Sequence, residues 1–174
     1  QAMECNGNGL CFNYDTSSPM CPSMKVTADR RHSPKGRAGL VREWLRQLTE
    51  QGVDILDLEK QALEETSSIK SMLDRVRNSL NKRHEYDFSH EVYEAMNGCL
   101  ACKACASQCP IKVDVPSFRS RFLNIYYSRY QRPAKDYLVA NIESVLPVMA
   151  KAPKLVNGVL SQKWVQNLTA SAVG

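Results

Sequence analysis

Residues 99–110 read Cys-Leu-Ala-Cys-Lys-Ala-Cys-Ala-Ser-Gln-Cys-Pro, which spaces four cysteines as C-x2-C-x2-C-x3-C-P. Gaps of two residues let one tight loop aim three thiolates at a common centre. The proline after Cys109 redirects the backbone, so the fourth thiolate can turn away from the first three. In proteins with two four-iron clusters, this fourth cysteine ligates the other cluster. The stretch therefore predicts a 4Fe-4S cluster bound through Cys99, Cys102 and Cys105.

Three further cysteines lie far upstream, at Cys5, Cys11 and Cys21, and the last of them precedes a proline. Against the downstream spacing, Asn8 stands where a second upstream cysteine would be. If the fourth ligand of each group crosses to the other cluster, one set of thiolates is complete and the other has only three members. The complete set is Cys21, Cys99, Cys102 and Cys105, and the incomplete set is Cys5, Cys11 and Cys109.

The incomplete set leaves three alternatives open. It could hold a 3Fe-4S cluster, a 4Fe-4S cluster with an oxygen or solvent ligand in place of the missing cysteine, or no cluster at all. Imidazole replaces thiolate in some centres, and His32 is the histidine to consider for that role.

Zinc and disulfides are the competing explanations of these cysteines. Zinc also binds four cysteines, but its usual arrangement is two separated C-x2-C pairs. Disulfides are disfavoured because seven cysteines are an odd number and no secretory leader precedes them. We therefore expect iron–sulfur chemistry in a reducing compartment.

The composition is that of a small protein without a membrane span. The chain has 174 residues, 43% of them hydrophobic, which supports one modest core and predicts one domain. No apolar stretch approaches eighteen residues, so we expect no transmembrane segment. The net charge is +5, and the basic residues accompany neither an RNA-binding motif nor a helix-turn-helix pattern. We therefore expect no nucleic-acid partner.

A basic segment follows Cys21 closely in the sequence. By default such a segment is a solvated face, but positive charge beside an anionic cluster would stabilise the reduced form. Both interpretations are open for its members, which are Arg30, Arg31, His32, Lys35 and Arg37.

The hydrophobic pattern is helical throughout, which predicts an all-α fold with cluster-binding loops between helices. The Ser-Pro pair at 33–34 predicts a helix start, and an apolar face then continues to Gly52. The same period resumes up to about residue 82, with a break at 66–68. Residues 38–83 are therefore predicted to form an αα-hairpin inserted between the two cysteine groups.

Further helices are expected downstream. Ser89 predicts the cap of a short helix that Gly98 ends just before the cluster loop. The Asp-Val-Pro run at 114–116 predicts the start of an aromatic-rich helix that packs in the core and stops at 132–133. Another helix is expected over 136–146.

The domain limits follow from composition. Residues 1–3 resemble a cloning remnant, which indicates a segment taken from a longer protein. Residues 4–150 are predicted to form the iron–sulfur domain. Beyond the prolines at 147 and 153 the helical signal weakens, so residues 151–174 are predicted to be a tail or a linker to a missing carboxy-terminal domain.

Four motifs, taken in order, resemble a known family. They are Glu4-Cys5-Asn6-Gly7-Asn8-Gly9-Leu10-Cys11, Met20-Cys21-Pro22-Ser23, His32-Ser33-Pro34-Lys35-Gly36-Arg37 and the run from Cys99 to Pro110. Together they are similar to the ferredoxin-type segment of large FAD-linked D-2-hydroxyacid dehydrogenases, over nearly the whole chain. The resemblance implies the α-helical ferredoxin fold of the iron–sulfur subunits of succinate and glycerol-3-phosphate dehydrogenases.

The resemblance also implies a function. In this family a flavin domain oxidises the hydroxyacid, so we expect FAD and the substrate, D-2-hydroxyglutarate or D-lactate, to bind in a part of the longer protein outside this sequence. The chain itself is then an electron-transfer module, not catalytic alone, that passes electrons from the FAD-binding domain to an external acceptor, a quinone or a carrier protein. Lys103, Lys112 and backbone amides would tune the cluster potential.

Two alternatives come from other functional classes. One is a structural or partner-docking module whose metal site only folds the loops. The other is a cluster-based redox sensor, for which the gap at Asn8 is the only hint. The expected location is cytoplasmic, with or without peripheral attachment to the inner face of the membrane.

Overall fold

The computed structural model describes residues 2–64, 69–81 and 86–173. Within these residues the regular structure is made of helices and contains no strand, which confirms the predicted all-α class. The chain forms two compact units, Gln1–Tyr130 and Gln131–Gly174.

The first unit is built from α-helices and two short 3-10 turns, Ala2–Glu4 and Arg30–His32. Its helices are α1 (Pro22–Thr27), α2 (Pro34–Glu50), α3 (Ile55–Glu64), α4 (Ile69–Asn81), α5 (Ser89–Asn97), α6 (Ala104–Gln108) and α7 (Val115–Arg129). The cysteines lie in the loop before α1, in the loop between α5 and α6, and within or just after α6.

Helix α2 begins and ends where the sequence predicts. The Ser33 hydroxyl accepts a hydrogen bond of 3.0 Å from the Gly36 amide, and the following proline has its ring in the first turn. After the helix, Gly52 adopts a φ of 73°, a left-handed conformation that glycine reaches without a steric penalty. The buried side of α2 carries Val41, Trp44 and Leu48.

Helix α7 lies at the centre of the first unit, where it contacts α2, α3, α4 and α5. Its buried residues include Phe118, Phe122, Ile125 and Tyr126. Phe122 meets Trp44 edge to face, with ring centroids 5.0 Å apart. The aromatic-rich helix is therefore core, as the sequence indicates.

Helices α3 and α4 both pack against α7. They occupy half of the segment 38–83 predicted as an inserted hairpin, and the later part of α2 occupies its beginning. Arg121 of α7 donates a 2.7 Å hydrogen bond to Glu59 of α3. The predicted break at Thr66-Ser67-Ser68 lies outside the described residues.

The start of α5 differs from the prediction that Ser89 caps it. Ser89 is buried in the first turn, and the Asp87 carboxylate accepts a 2.8 Å hydrogen bond from the Ser89 amide. Asp87 also accepts a 2.8 Å bond from the Tyr130 hydroxyl and pairs with Arg129 at 3.2 Å. The Asp87 carboxylate is therefore the cap, because it accepts hydrogen bonds both from the first turn of α5 and from the end of α7. Gly98 ends α5 as predicted.

The second unit contains α8 (Ala134–Ala140), α9 (Ile142–Ala150), α10 (Pro153–Leu160) and α11 (Lys163–Val173). The single helix expected over 136–146 is thus two helices, separated at Asn141, whose side-chain amide donates to the Tyr137 carbonyl at 2.7 Å. The segment predicted to be a tail or a linker contains α10 and α11, and its role as a linker stays a prediction. The domain limit at residue 150 falls inside this unit and stays a prediction. In the described part of the chain, no helix is long and apolar enough to cross a membrane.

Candidate metal centre

Four cysteines line one cavity of the first unit, called the first cavity here. They are Cys21, Cys99, Cys102 and Cys105. Cys21 is the residue before α1, the next two lie in the loop after α5, and Cys105 is buried in α6. Pro34, Arg37 and Val115 also line the cavity. The four thiols are those that the sequence predicts as the complete set.

The other three cysteines line a separate cavity, called the second cavity here. They are Cys5, Cys11 and Cys109, and Asn8, Pro34 and Lys35 complete much of the wall. Pro34 therefore lines both cavities. The division of the seven cysteines between the two cavities is the division that a crossing of the fourth ligands predicts, whereas ligation itself stays a prediction.

The loops around both cavities hold their backbone in left-handed conformations. In the described part of the chain, four of the five non-glycine residues with positive φ lie here, and they are Cys21 (41°), Ala101 (53°), Lys103 (59°) and Lys112 (51°). Such conformations cost of order 1–3 kcal/mol each and concentrate at ligand-binding sites. They also turn successive amides toward one side, which is a general way of receiving an anion.

Burial makes two of the thiols hard to ionise without a metal. Desolvation raises the pKa of the Cys11 and Cys105 thiols above their ordinary value, and hydrogen bonds offset only part of that effect. One such bond is the 3.3 Å contact from the Lys35 amide to the Cys11 sulfur. Metal binding requires the thiolate form of cysteine. The bound metal must therefore supply the positive charge that stabilises the thiolate.

Asn8, at the position of the missing cysteine, makes hydrogen bonds within its own loop. Its side-chain oxygen accepts a 3.1 Å hydrogen bond from the Leu10 amide, and its amide donates at 3.1 Å to Asn6. These short-range bonds are typical of Asx turns. The second cavity therefore has three thiols. The three alternatives for it stay open, namely a 3Fe-4S cluster, a 4Fe-4S cluster with an oxygen or solvent ligand, and no cluster.

The basic segment divides into residues that reach the cavities and residues that do not. Arg37 is buried at the first cavity and Lys35 lines the second. Arg30 instead covers the Phe12 ring at 4.6 Å, and Arg31 pairs with Asp29 at 2.9 Å. The sequence reveals the segment but not this division.

Two further residues considered from the sequence have different surroundings. His32 is not among the residues that line either cavity, and its ring lies against Gly98. Lys103 does line the first cavity, but its exposed ammonium lies 3.8 Å from Asp114. Sequence reasoning missed Val115, whose amide bonds to the Cys105 thiol. Its position at the start of α7, immediately after the predicted cap, is the signal that could have indicated it.

The spacing of the donor set, with three thiols at two-residue gaps on the wall of one cavity, is that of an iron–sulfur cluster. Among the described residues, no three Cys, His, Asp or Glu side chains lie close enough together to hold a single metal ion. Zinc bonded to four sulfurs at about 2.3 Å would bring those sulfurs within about 4 Å of one another. A cubane spreads its cysteines further apart, because each thiolate binds a different iron.

The chain is similar to known iron–sulfur proteins. The family described as 4Fe-4S dicluster domain matches residues 1–113. The chain is 60% identical to the D-2-hydroxyglutarate dehydrogenase of Escherichia coli and 59% identical to that of Pantoea ananatis. Each alignment covers 99% of this chain but 17% of the relative, so the chain spans only a small part of the curated relatives' length. No solved structure matches the chain. The protein is therefore a member of the 4Fe-4S dicluster domain family.

Proposed function

We propose that this chain is the iron–sulfur electron-transfer module of a longer FAD-dependent D-2-hydroxyacid dehydrogenase. The observation that carries the proposal is the pair of thiol-lined cavities at the two ends of α6. The relatives named D-2-hydroxyglutarate dehydrogenase make D-2-hydroxyglutarate the first substrate to test, and D-lactate the second.

In this proposal each cavity holds one cluster. Cys21, Cys99, Cys102 and Cys105 bind a 4Fe-4S cluster, and Cys5, Cys11 and Cys109 bind a 3Fe-4S or 4Fe-4S cluster. Bound there, the clusters supply reversible one-electron transfer.

The first cavity has a buried apolar wall and a solvent-exposed side. Pro34 and Val115 form apolar walls, and Val115 is buried while Cys102 and Leu100 are exposed. The first site therefore opens to solvent at Cys102, and an electron partner would approach there. Pro34 and α6 connect the first cavity to the second, which gives electrons a short route between the two sites.

The remaining parts of the activity belong to the rest of the longer protein. The chain spans 17% of its relatives, so FAD, the hydroxyacid pocket and the oxidation of the substrate are assigned to segments outside it. The acceptor is a quinone or a carrier protein. A cytoplasmic location, with peripheral attachment to the inner face of the membrane where the acceptor is a quinone, completes the proposal.

Two half-reactions of the full-length protein test this proposal. Cys102→Ser should leave flavin reduction by D-2-hydroxyglutarate nearly intact and slow reoxidation by the acceptor, because only the outward path runs through these thiols. Rapid-mixing absorbance spectroscopy follows both steps separately. Ser107→Ala is the matched control, since Ser107 is exposed on α6, the short helix that follows the Cys102 loop, and its hydroxyl donates a 3.2 Å hydrogen bond to the nearby Ala104 carbonyl.

The outcome separates the relay from the other functional classes. Equal loss of both half-reactions in a folded Cys102→Ser protein would contradict the relay and favour a structural or docking module. Unchanged reoxidation, with substrate oxidation that instead depends on oxygen exposure of the cluster, would favour a redox sensor.

A further inference from the structure

Arg37 is a fully buried cation at the first cavity. Its side chain is only 1% exposed. The guanidinium donates to the Ala95 carbonyl at 2.8 Å and to the Ser23 hydroxyl at 3.0 Å. It also donates to the His32 carbonyl, and one of its nitrogens lies 3.6 Å from the Cys21 sulfur. These contacts fix the charge in place beside a predicted ligand.

The Arg37 charge has no carboxylate partner in the part of the chain that the structure describes. Among the described residues, none of the ion pairs includes Arg37, and its hydrogen-bond acceptors are neutral groups. Burial of an ion is costly unless an opposite charge accompanies it. The group that would compensate it is therefore an anion at the first cavity, and a cluster with four thiolate ligands is such an anion.

Among the described residues that line the two cavities, no other cation has this combination of burial and proximity. Lys103 also lines the first cavity, but it is mostly exposed and lies 3.8 Å from Asp114. At the second cavity, Lys35 is exposed, and its ammonium lies 3.4 Å from the Gly7 carbonyl. Water and salt screen an exposed charge far more than a buried one. The two sites therefore differ in their fixed electrostatics.

We infer that Arg37 sets the reduction potential of the cluster in the first cavity and leaves that of the second site nearly unchanged. The inference rests on the ligand assignment in the proposed function. Reduction adds one electron, and so one negative charge, to the first cluster. A buried positive charge 3.6 Å from the Cys21 sulfur stabilises that added negative charge. Arg37 thereby raises the potential of the first site.

Redox titration of the reconstituted protein tests the inference. The protein is reduced stepwise with dithionite in the presence of mediators, and electron paramagnetic resonance follows each cluster. Arg37→Gln should lower the ratio of reduced to oxidised cluster, read from the signal that depends on Cys21, at least tenfold at a fixed potential. That change corresponds to about 59 mV for a one-electron couple. The signal of the second site should not shift.

Two variants serve as controls. Arg46→Gln removes an exposed arginine from the same helix, one that pairs with Glu43 at 2.7 Å, and should shift neither signal. Arg37→Lys keeps the charge and should shift the first signal less than Arg37→Gln. Because the titration uses a chemical reductant and no hydroxyacid, its result does not depend on whether the relay operates in the longer protein.

The inference is wrong if the Arg37→Gln protein holds the first cluster and its first potential equals that of the unmodified protein. If Arg37→Gln does not hold the first cluster, Arg37→Lys decides the question. Recovery of the cluster in Arg37→Lys supports a role for the charge, whereas its loss in both variants overturns the inference and assigns Arg37 to packing alone.

Discussion

Cys105 and Cys109 are joined by a backbone hydrogen bond of 3.1 Å, yet their side chains line two different cavities. The bond closes the last turn of the five-residue helix α6. Cys109 then adopts an extended conformation with ψ of 130°, and Pro110 follows it outside the helix. This short helix therefore supplies one thiol to the wall of each cavity.

Iron content should reveal two clusters. Protein prepared and reconstituted without oxygen should bind about seven or eight irons per chain, because both cavities are lined by thiols. About four irons would mean that only the complete set loads. Metal analysis and the visible spectrum make the measurement, and zinc in a colourless protein would contradict the iron–sulfur assignment.

Removal of the metal should loosen the first unit. Ligation couples to folding, because the left-handed loops and buried thiols gain their stabilisation from the bound group. A chelator with mild oxidant should therefore lower the thermal midpoint while it bleaches the protein. The same midpoint before and after bleaching would show that the loops hold their conformation without metal.

Gly36 is predicted to be essential for the geometry of both cavities. A Cβ at this position would collide with the backbone of the turn Arg30–His32, coming within 2.9 Å of the Arg31 Cα. Gly36→Ala should therefore cost about 1–3 kcal/mol and reduce cluster loading.

Gly39, one turn further along α2, is the matched control for this prediction. A Cβ there would meet nothing within 4 Å, and the residue is exposed. Gly39→Ala should stabilise the protein by about 0.5–1 kcal/mol, because alanine is the better helix former. Denaturant unfolding and iron content compare the two variants, and equal behaviour would show that the turn can shift at no cost.

Asp87 should make the junction of α5 and α7 sensitive to acid. Burial raises the pKa of its carboxyl, but hydrogen bonds from the Ser89 amide and the Tyr130 hydroxyl, together with Arg129, hold it below the ordinary value of 3.8. Because the folded-state pKa is the lower one, the carboxylate stabilises the fold fully above about pH 4. This contribution is lost as the pH falls through the folded-state value.

Asp87→Asn should therefore cost about 1–3 kcal/mol at pH 7, and the difference from the unmodified protein should shrink at pH 3. Thermal unfolding at the two pH values measures it. Asp74→Asn, which changes an exposed carboxylate of α4, should have little effect at either pH. A pH-independent loss in Asp87→Asn would assign the effect to packing and not to charge.

The sequence was most informative where local chemistry decides the structure. Cysteine spacing predicted which thiols share a cavity, and the Ser-Pro pair at 33–34 predicted the start of α2. The Ser-Pro signal acts over a few residues, through a hydrogen bond to a neighbouring amide. The grouping of Cys21 with the downstream cysteines instead follows from the way fourth ligands cross between two clusters. Asn8, at the position where a cysteine is expected, likewise predicted that the second cavity has only three thiols.

Features that depend on distant elements could not be predicted in the same way. Arg37 looks like a member of a solvated basic segment until Ala95 and Ser23, from two other helices, bury its guanidinium. Asp87 replaced Ser89 as the cap because Tyr130 and Arg129 approach it from the end of α7. In both cases tertiary contacts override a local preference.

The crossing of the ligands is tested most directly by electron paramagnetic resonance of two cysteine variants of the reconstituted protein. Cys21→Ser should damage the same signal as Cys102→Ser, because these side chains line one cavity, and Cys109→Ser should disturb the other signal. If Cys109→Ser abolishes the signal of the complete set while Cys21→Ser leaves it intact, the four cysteines from 99 to 109 bind one cluster alone and the assignment to two crossed sites is wrong.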